Sequence, residues 1–329
     1  MQSQHKQHKQ LNNGTAQSYK LAASGFFLPF FVIFVCFNLY PYAVSLFNSF
    51  YEWDNSQAFS LEHMTFVGFK NYKNLLSEPN IKAIFLHFLW FVPTCMFLIH
   101  SISLLLAKSI MASLFRFQGI FLMLLFIPYM ISEESLARIF SRPFTDQDGW
   151  IVQFFNSFGI DETQTWLGQE RRGGTPLWMA VFYLFFCTIV KYCGFFTLIY
   201  YMTLKSISVS VIESARLEGA NNWQIFTKIE FPMIRKMFVM MTILSLIFVA
   251  QSSQIQAWLD RQIGLSRSEA SPFETFSDLL QTLQLEYNDV GAAAALTWVF
   301  VAMILVFIVI GMLSTAFINK RQSRITHVI

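Results

Sequence analysis

Six long apolar runs decide what this chain can fold into. They cover roughly residues 26–47, 83–107, 117–140, 177–204, 237–258 and 290–318. Each is near or above the ~20 residues a helix needs to cross ~30 Å of hydrocarbon. Lipid offers no partner for backbone N–H and C=O groups, so such runs must satisfy them internally, as helices. The remaining composition agrees: 13% of residues are charged, against about 25% in a soluble domain. The expectation is an all-α integral membrane protein with six transmembrane helices. The third run is the weakest, because its apolar core, 117–131, ends at Ser132, Glu133 and Glu134.

Basic residues orient the bundle. With the N-terminus in the cytoplasm, the inner segments hold thirteen Lys and Arg, the longer outer loops hold nine, and Lys191 lies inside the fourth run. The positive-inside rule then places both termini in the cytoplasm. Only Glu213, Glu218 and Glu230 among the acidic residues fall inside. Residues 1–20 are a polar, unpatterned cytoplasmic tail, and 21–329 form the six-span domain. The first run is longer than a signal-peptide core and lacks a small-x-small cleavage pattern, so it reads as a retained span. Cys36, Cys95, Cys187 and Cys193 all lie in apolar segments without metal-type spacing, as buried thiols do. A net charge of +3 without a long basic run gives no reason to expect nucleic acid as a partner.

The longest inner loop, 206–236, carries the most information. Its first half, 209–218, sets Val211, Ile212, Ala215 and Leu217 among polar neighbours, a pattern for a short amphipathic helix. Gly219 permits a sharp turn, because it lacks a Cβ. Asn221 or Asn222 can cap a second short helix, in which Trp223, Phe226 and Ile229 repeat every three residues. Pro232 ends that helix and begins the next span. A helix pair on the cytoplasmic face suits a docking surface for a soluble partner; it equally suits an interfacial helix lying on headgroups.

This loop resembles the signature of permeases of binding-protein-dependent ATP-binding-cassette importers. That signature is a Glu-Ala-Ala run, a Gly four residues after it, and an Ile-x-Leu-Pro ending. Here stand Glu213, Ser214 and Ala215, then Gly219 and Ala220, then Ile229, Glu230, Phe231 and Pro232. Ser214, Glu218 and Phe231 are mild departures. The resemblance extends to the carbohydrate (maltose- and glycerol-phosphate-type) branch through Tyr40-Pro41, Ser49-Phe50, the run from Phe66 to Tyr72, and Gly149 to Gly159 with Trp166-Leu167. It covers most of the chain from about residue 20. The branch's Gly-Gly-Pro after the fifth span is missing, and the Glu133–Glu134 pair is unusual for it.

The resemblance implies a type I importer-permease fold with a cytoplasmic coupling helix pair, in the bacterial inner membrane. It implies a second related permease subunit, two ATPase subunits, an extracytoplasmic solute-binding protein and a sugar, most simply an oligosaccharide or sugar derivative. No Gly in the sequence is followed by Lys, so there is no phosphate loop. The chain would hold no cofactor itself; ATP and Mg would belong to the ATPases, and the chain would not be an enzyme. A non-sugar solute, a stand-alone secondary transporter or channel, and a membrane enzyme are the competing readings. A secondary transporter needs mid-membrane carboxylates, and an enzyme needs clustered catalytic groups; His87 and His100, thirteen residues apart, form no such cluster.

Candidates for the solute pathway are polar groups at membrane depth, which are costly unless paired or functional. Lys191, beside Tyr192, is either a cavity-lining cation or a lysine that snorkels or pairs with a partner carboxylate. Gln251, Ser252, Ser253, Gln254, Gln256 and Trp258 at the end of the fifth run suit sugar hydroxyls and a pyranose face, or serve as interhelical glue. Glu133 and Glu134 mark the outer water boundary of the third span, or bind a cation.

Overall fold

The computed structural model describes residues 25, 27–52, 64–112, 117–145, 149, 151, 153–154, 157–158, 177–252, 255–256, 259 and 275–326. Among them, five helices are long and apolar enough to cross a membrane: Phe27–Asn48, Ile81–Ala112, Ala180–Lys205, Asn222–Gln251 and Val290–Leu313. A bent pair of helices, Gln118–Met130 with Glu133–Phe144, is the sixth candidate. The chain divides into two compact units, one of 1–75 with 283–298 and one of 76–282 with 299–329. The tail 1–20 lies outside the described residues.

In the first unit, helix α1 (Phe27–Asn48) contains a π turn at Val35–Leu39, directly before Tyr40 and Pro41. Pro41 has no N–H, and its ring crowds the carbonyl four residues back. The π turn, in which the Tyr40 N–H reaches back to the Val35 carbonyl, widens the helix at that place. Beyond α1, strands β1 (Tyr51–Glu52) and β2 (Thr65–Phe66) pair antiparallel, with Tyr51 opposite Phe66. Helix α2 (Lys70–Ser77) follows. Asn71 closes this corner: its Nδ2 donates to the carbonyls of Ser49 (3.0 Å) and Tyr51 (2.9 Å). The Tyr72 hydroxyl donates to Ser49 Oγ at 2.7 Å. Gly291 packs so close that a Cβ would stand 2.1 Å from the Tyr51 carbonyl oxygen. The motif from Phe66 to Tyr72 is therefore a small structural clasp.

The second unit contains α3 (Pro79–Ala112), α4 (Gln118–Met130), α5 (Glu133–Thr145), α6 (Leu177–Lys205), α7 (Val209–Leu217), α8 (Asn222–Ile225), α9 (Phe231–Gln251) and α10 (Phe276–Gln281). The last helix, α11 (Val290–Thr326), begins in the first unit and continues into the second. Helix α6 is the hub, packing on α3, α4, α5 and α9. Small residues make that possible: a Cβ on Gly194 would fall 1.6 Å from the Leu125 carbonyl oxygen of α4, the close backbone approach that small residues allow between membrane helices. Ser103 of α3 donates to the Cys193 carbonyl at 3.0 Å. Tyr183 of α6 donates to the Ala137 carbonyl of α5 at 2.5 Å. Aromatic rings fill much of the rest, as with Phe88 against Phe276, Phe300 and Phe307.

His100 bolts three helices together. Ser245 Oγ already donates to the Thr242 carbonyl, so it accepts from His100 Nε2 at 2.8 Å. That tautomer leaves His100 Nδ1 to accept from the Tyr200 hydroxyl at 2.7 Å. One imidazole thus joins α3, α6 and α9.

Two predicted spans differ from the observed helices. The third, expected over 117–140, is α4 and α5 joined at a 106° bend. Pro128 removes an N–H near the end of α4, and Ile131 is extended (φ −80°, ψ 141°). Ser132 Oγ then accepts from the Ser135 N–H and starts α5, with Glu133 and Glu134 in its first turn. Acidic residues belong there, facing the positive end of the helix dipole. The fifth span lies earlier than expected: an unbroken helix runs Asn222–Gln251 and stops at Ser252. Pro232 does not end a helix. A π turn at Phe226–Glu230 precedes Phe231-Pro232, as the one in α1 precedes Tyr40-Pro41, and the helix carries on through the proline.

Candidate functional site: the elbow between α6 and α9

The segment 206–230 leaves α6, turns back on itself and re-enters the bundle as α9. Helix α7 ends in a Schellman motif. The Gly219 N–H donates to the Arg216 carbonyl and the Ala220 N–H to the Ala215 carbonyl, both at 3.0 Å. Gly219 sits at φ +85°, where side chains with a Cβ are strained, so the sharp turn read from the sequence is the observed one. Asn221 is the cap of α8. Its side chain accepts from the Gln224 N–H at 2.8 Å, and the Gln224 side chain accepts from the Asn221 N–H at 2.9 Å. Such a reciprocal pair fixes the helix start.

Of the apolar positions in the amphipathic pattern, Ala215 is buried and Ile212 half-buried, while Leu217 is 90% exposed. Trp223 is 72% exposed, and Val209 and Val211 are also exposed. Glu213, Ser214, Gly219 and Pro232 are exposed, whereas Ala220 and Ile229 are half-buried. The exposed residues of the elbow thus include apolar side chains, Val209, Val211, Leu217 and Trp223, as well as polar ones. The elbow is also fastened inward by a contact that sequence reading missed: Lys108 Nζ, near the end of α3, donates to both carboxylate oxygens of Glu230 at 2.6 and 2.5 Å. The available signal was a single carboxylate in the Ile-x-Phe-Pro stretch of a loop otherwise rich in bases.

The candidate pathway residues fall into two places. Lys191 stands at the bend between α4 and α5, where its Nζ donates to the carbonyls of Tyr129 (3.0 Å) and Ile131. These are carbonyls that the end of α4 leaves without helical partners, and a cation is favoured at that negative dipole end. Tyr192 donates from its hydroxyl to Glu133 Oε1 at 2.7 Å, binding α6 to the first turn of α5. Glu134 pairs with Arg138 one turn on, at 2.8 Å. The break is therefore closed by complementary groups on both sides.

Ser252 and Gln256 line a cavity of about 20 Å³ with His87, Phe88, Phe91 and Phe276. That is space for one ordered water, too little for a sugar ring. Gln256 Nε2 lies 3.3 Å from His87 Nε2. Gln251 is exposed at the end of α9. Ser253, Gln254 and Trp258 lie outside the described residues.

Among the described residues, membrane-length helices and an exposed helical elbow form the arrangement expected of a permease subunit. More particularly, the chain belongs to the family of binding-protein-dependent transport system inner membrane components, whose profile matches residues 15–324. Members of this family are multi-pass inner-membrane permease subunits rather than enzymes. The chain is 26% identical to a probable ABC transporter permease protein, YesP, of Bacillus subtilis (strain 168), over 86% of this chain and 87% of that one. It is 22% identical to AmyD of Thermoanaerobacterium thermosulfurigenes, a probable starch degradation products transport system permease protein, over 90% and 94% of the two chains. Among solved structures, a bacterial ABC transporter involved in the import of the acidic polysaccharide alginate contains a chain of the same fold. The TM-score is 0.72 at 17% identity, covering 94% of this chain and 99% of that one. A bacterial alginate ABC transporter solved in complex with an alginate pentasaccharide-bound periplasmic protein also contains a chain of this fold, with a TM-score of 0.70 at 17% identity over 91% and 94% of the chains.

Proposed function

We propose that this chain is one permease subunit of an ATP-driven importer for a sugar, most simply an oligosaccharide or sugar derivative. An extracytoplasmic binding protein delivers the solute, a second related permease completes the pathway, and two cytoplasmic ATPase subunits supply the energy. Both termini lie in the cytoplasm, as the distribution of Lys and Arg favours. The supporting relatives are the starch-product permease and the alginate importer, the latter in its complex with a sugar-loaded periplasmic protein. ATP and Mg are bound by the ATPases, since this chain has no phosphate loop.

The observation that carries this reading is the elbow. A Schellman turn at Gly219 and a capping box at Asn221 fix the backbone beside two exposed apolar side chains, Leu217 and Trp223. Exposed apolar side chains beside a rigid turn suit a groove on a soluble protein. Glu213 and Ser214, exposed on α7, supply the polar edge of the same contact. Closure of the ATPases on ATP then moves the elbow as a rigid body, and the spans rock about the solute. No bond in the solute is made or broken. Polar groups near the end of α9, Gln251, Ser252 and Gln256, with Tyr192, are candidates to meet sugar hydroxyls once the small cavity at His87 opens.

The test is recovery of the tagged chain from native membranes, followed by nucleotide-hydrolysis assay and identification of its companions. ABC-type ATPases and a second permease should accompany the wild-type chain, and Leu217→Asp should release the ATPases while the permease pair stays together. ATPases that remain with the Leu217→Asp chain, or solute uptake by vesicles that lack any ATPase, would overturn the reading.

A further inference from the structure

We propose that Lys108 and Glu230 are a positioning pair that carries the movement of the elbow into α3, the second span. This rests on the reading of the elbow as the ATPase contact. The elbow has two obvious outputs, because it is continuous with α6 before it and with α9 after it. Both of those helices are bonded to α3 farther along, by Ser103 to the Cys193 carbonyl and by His100 to Tyr200 and Ser245. The ion pair adds a third link, direct from the elbow's own turn to α3, across 122 positions of the chain.

Glu230 is 1% exposed, at the last residue of the π turn. Lys108 grips both of its oxygens, and the same Nζ stands 5.8 Å from the centre of the Phe226 ring. The ammonium is thus held between a carboxylate and an aromatic ring that both belong to the turn leading out of the elbow. An isolated buried carboxylate is far more costly than a paired one. The turn cannot move away from α3 without leaving Glu230 uncompensated, so the two move together. An exposed ion pair would not serve, because water would replace either partner at little cost. The first unit offers that contrast in Lys70 and Glu52, which are 2.8 Å apart with about half of each side chain exposed.

The experiment uses the whole importer, with both permeases, the ATPases and the binding protein, in sealed proteoliposomes. Solute taken up and ATP hydrolysed are measured on the same sample. Lys108→Met should keep ATPase subunits bound and hydrolysing, while solute moved per ATP falls by about tenfold, within the range typical of coupling between two sites. A purely structural role would lower uptake and hydrolysis together. The exchanged double variant, Lys108→Glu with Glu230→Lys, should recover most of the lost ratio. If Lys108→Met lowers the amount of chain in the membrane, the exchanged variant decides: recovered amount with recovered uptake supports the pair, and recovered amount without uptake overturns it. An unchanged ratio of solute to ATP in Lys108→Met also overturns it. Leu217→Asp separates this proposal from the one beneath it. Release of the ATPases there, with an unchanged ratio in Lys108→Met, sinks the positioning pair alone; ATPases that stay bound sink the docking reading.

Discussion

Gly194→Ala should splay α6 from α4 at the broken span. A single methyl group is enough, because it would lie 1.6 Å from the Leu125 carbonyl oxygen and 2.4 Å from its carbon. Both are backbone atoms, so no rotamer change relieves the clash. Reaching ordinary contact requires the two helices to part locally by roughly 1.8 Å, and overpacking of this kind costs about 1–3 kcal/mol. Lys191 lies one turn before Gly194 on α6, and its bonds to the carbonyls of Tyr129 and Ile131 span the same gap. Stretching them removes charge-assisted hydrogen bonds, each worth about 1.5–3 kcal/mol. With one of the two bonds lost, the total expected loss is about 2.5–6 kcal/mol. Reversible unfolding in mixed micelles measures it, with Lys191→Met as the second corner of a double-mutant cycle. Since both substitutions break one joint, the double variant should fall short of additivity by about 1–2 kcal/mol. A Gly194→Ala chain within about 0.5 kcal/mol of wild type, or strict additivity with Lys191→Met, would refute the account of this joint.

Asn221→Ala removes the capping box at the start of α8 and should loosen the elbow by about 1 kcal/mol; faster amide exchange at Gln224 in the assembled protein would show it, and unchanged exchange would contradict it. His100→Leu deprives the Tyr200 hydroxyl of its acceptor and Ser245 of its donor. It should cost about 0.6–1.7 kcal/mol, the span found for interhelical hydrogen bonds in membranes, and the same micelle titration should show Tyr200→Phe largely neutral in the His100→Leu background.

What could be read from the sequence was what depends on local pattern. Apolar length located the crossings, and the turn chemistry of Gly219 and Asn221 located the elbow, because a left-handed glycine and an asparagine cap act within a few residues of themselves. Pro232 misled for a related reason. Proline interrupts the regular α-helical ladder, but a π turn ahead of it lets the helix continue, and nothing in residues 226–230 announces that extra residue. The bend at Ile131 was signalled only as a weak apolar core; its cause became visible once Lys191 was seen closing one end and Ser132 starting the other. Contacts that join distant segments carry no local signature. Lys108 looked like a basic residue flanking a span, and only the tertiary structure sets it on Glu230. Amphipathic periodicity gave the helix at Leu217 but not the side it would present, and only the structure shows that residue exposed.

The π turn at Phe226–Glu230 takes up one residue more than an α-helical turn would. Wound as plain α-helix, the same residues would swing everything upstream by one residue's rotation, about 100°, around the axis of α9. Leu217 and Trp223 would keep their chemistry and point elsewhere. The direction of the elbow's exposed face is thus set by the local winding of the backbone, not by which side chains it carries.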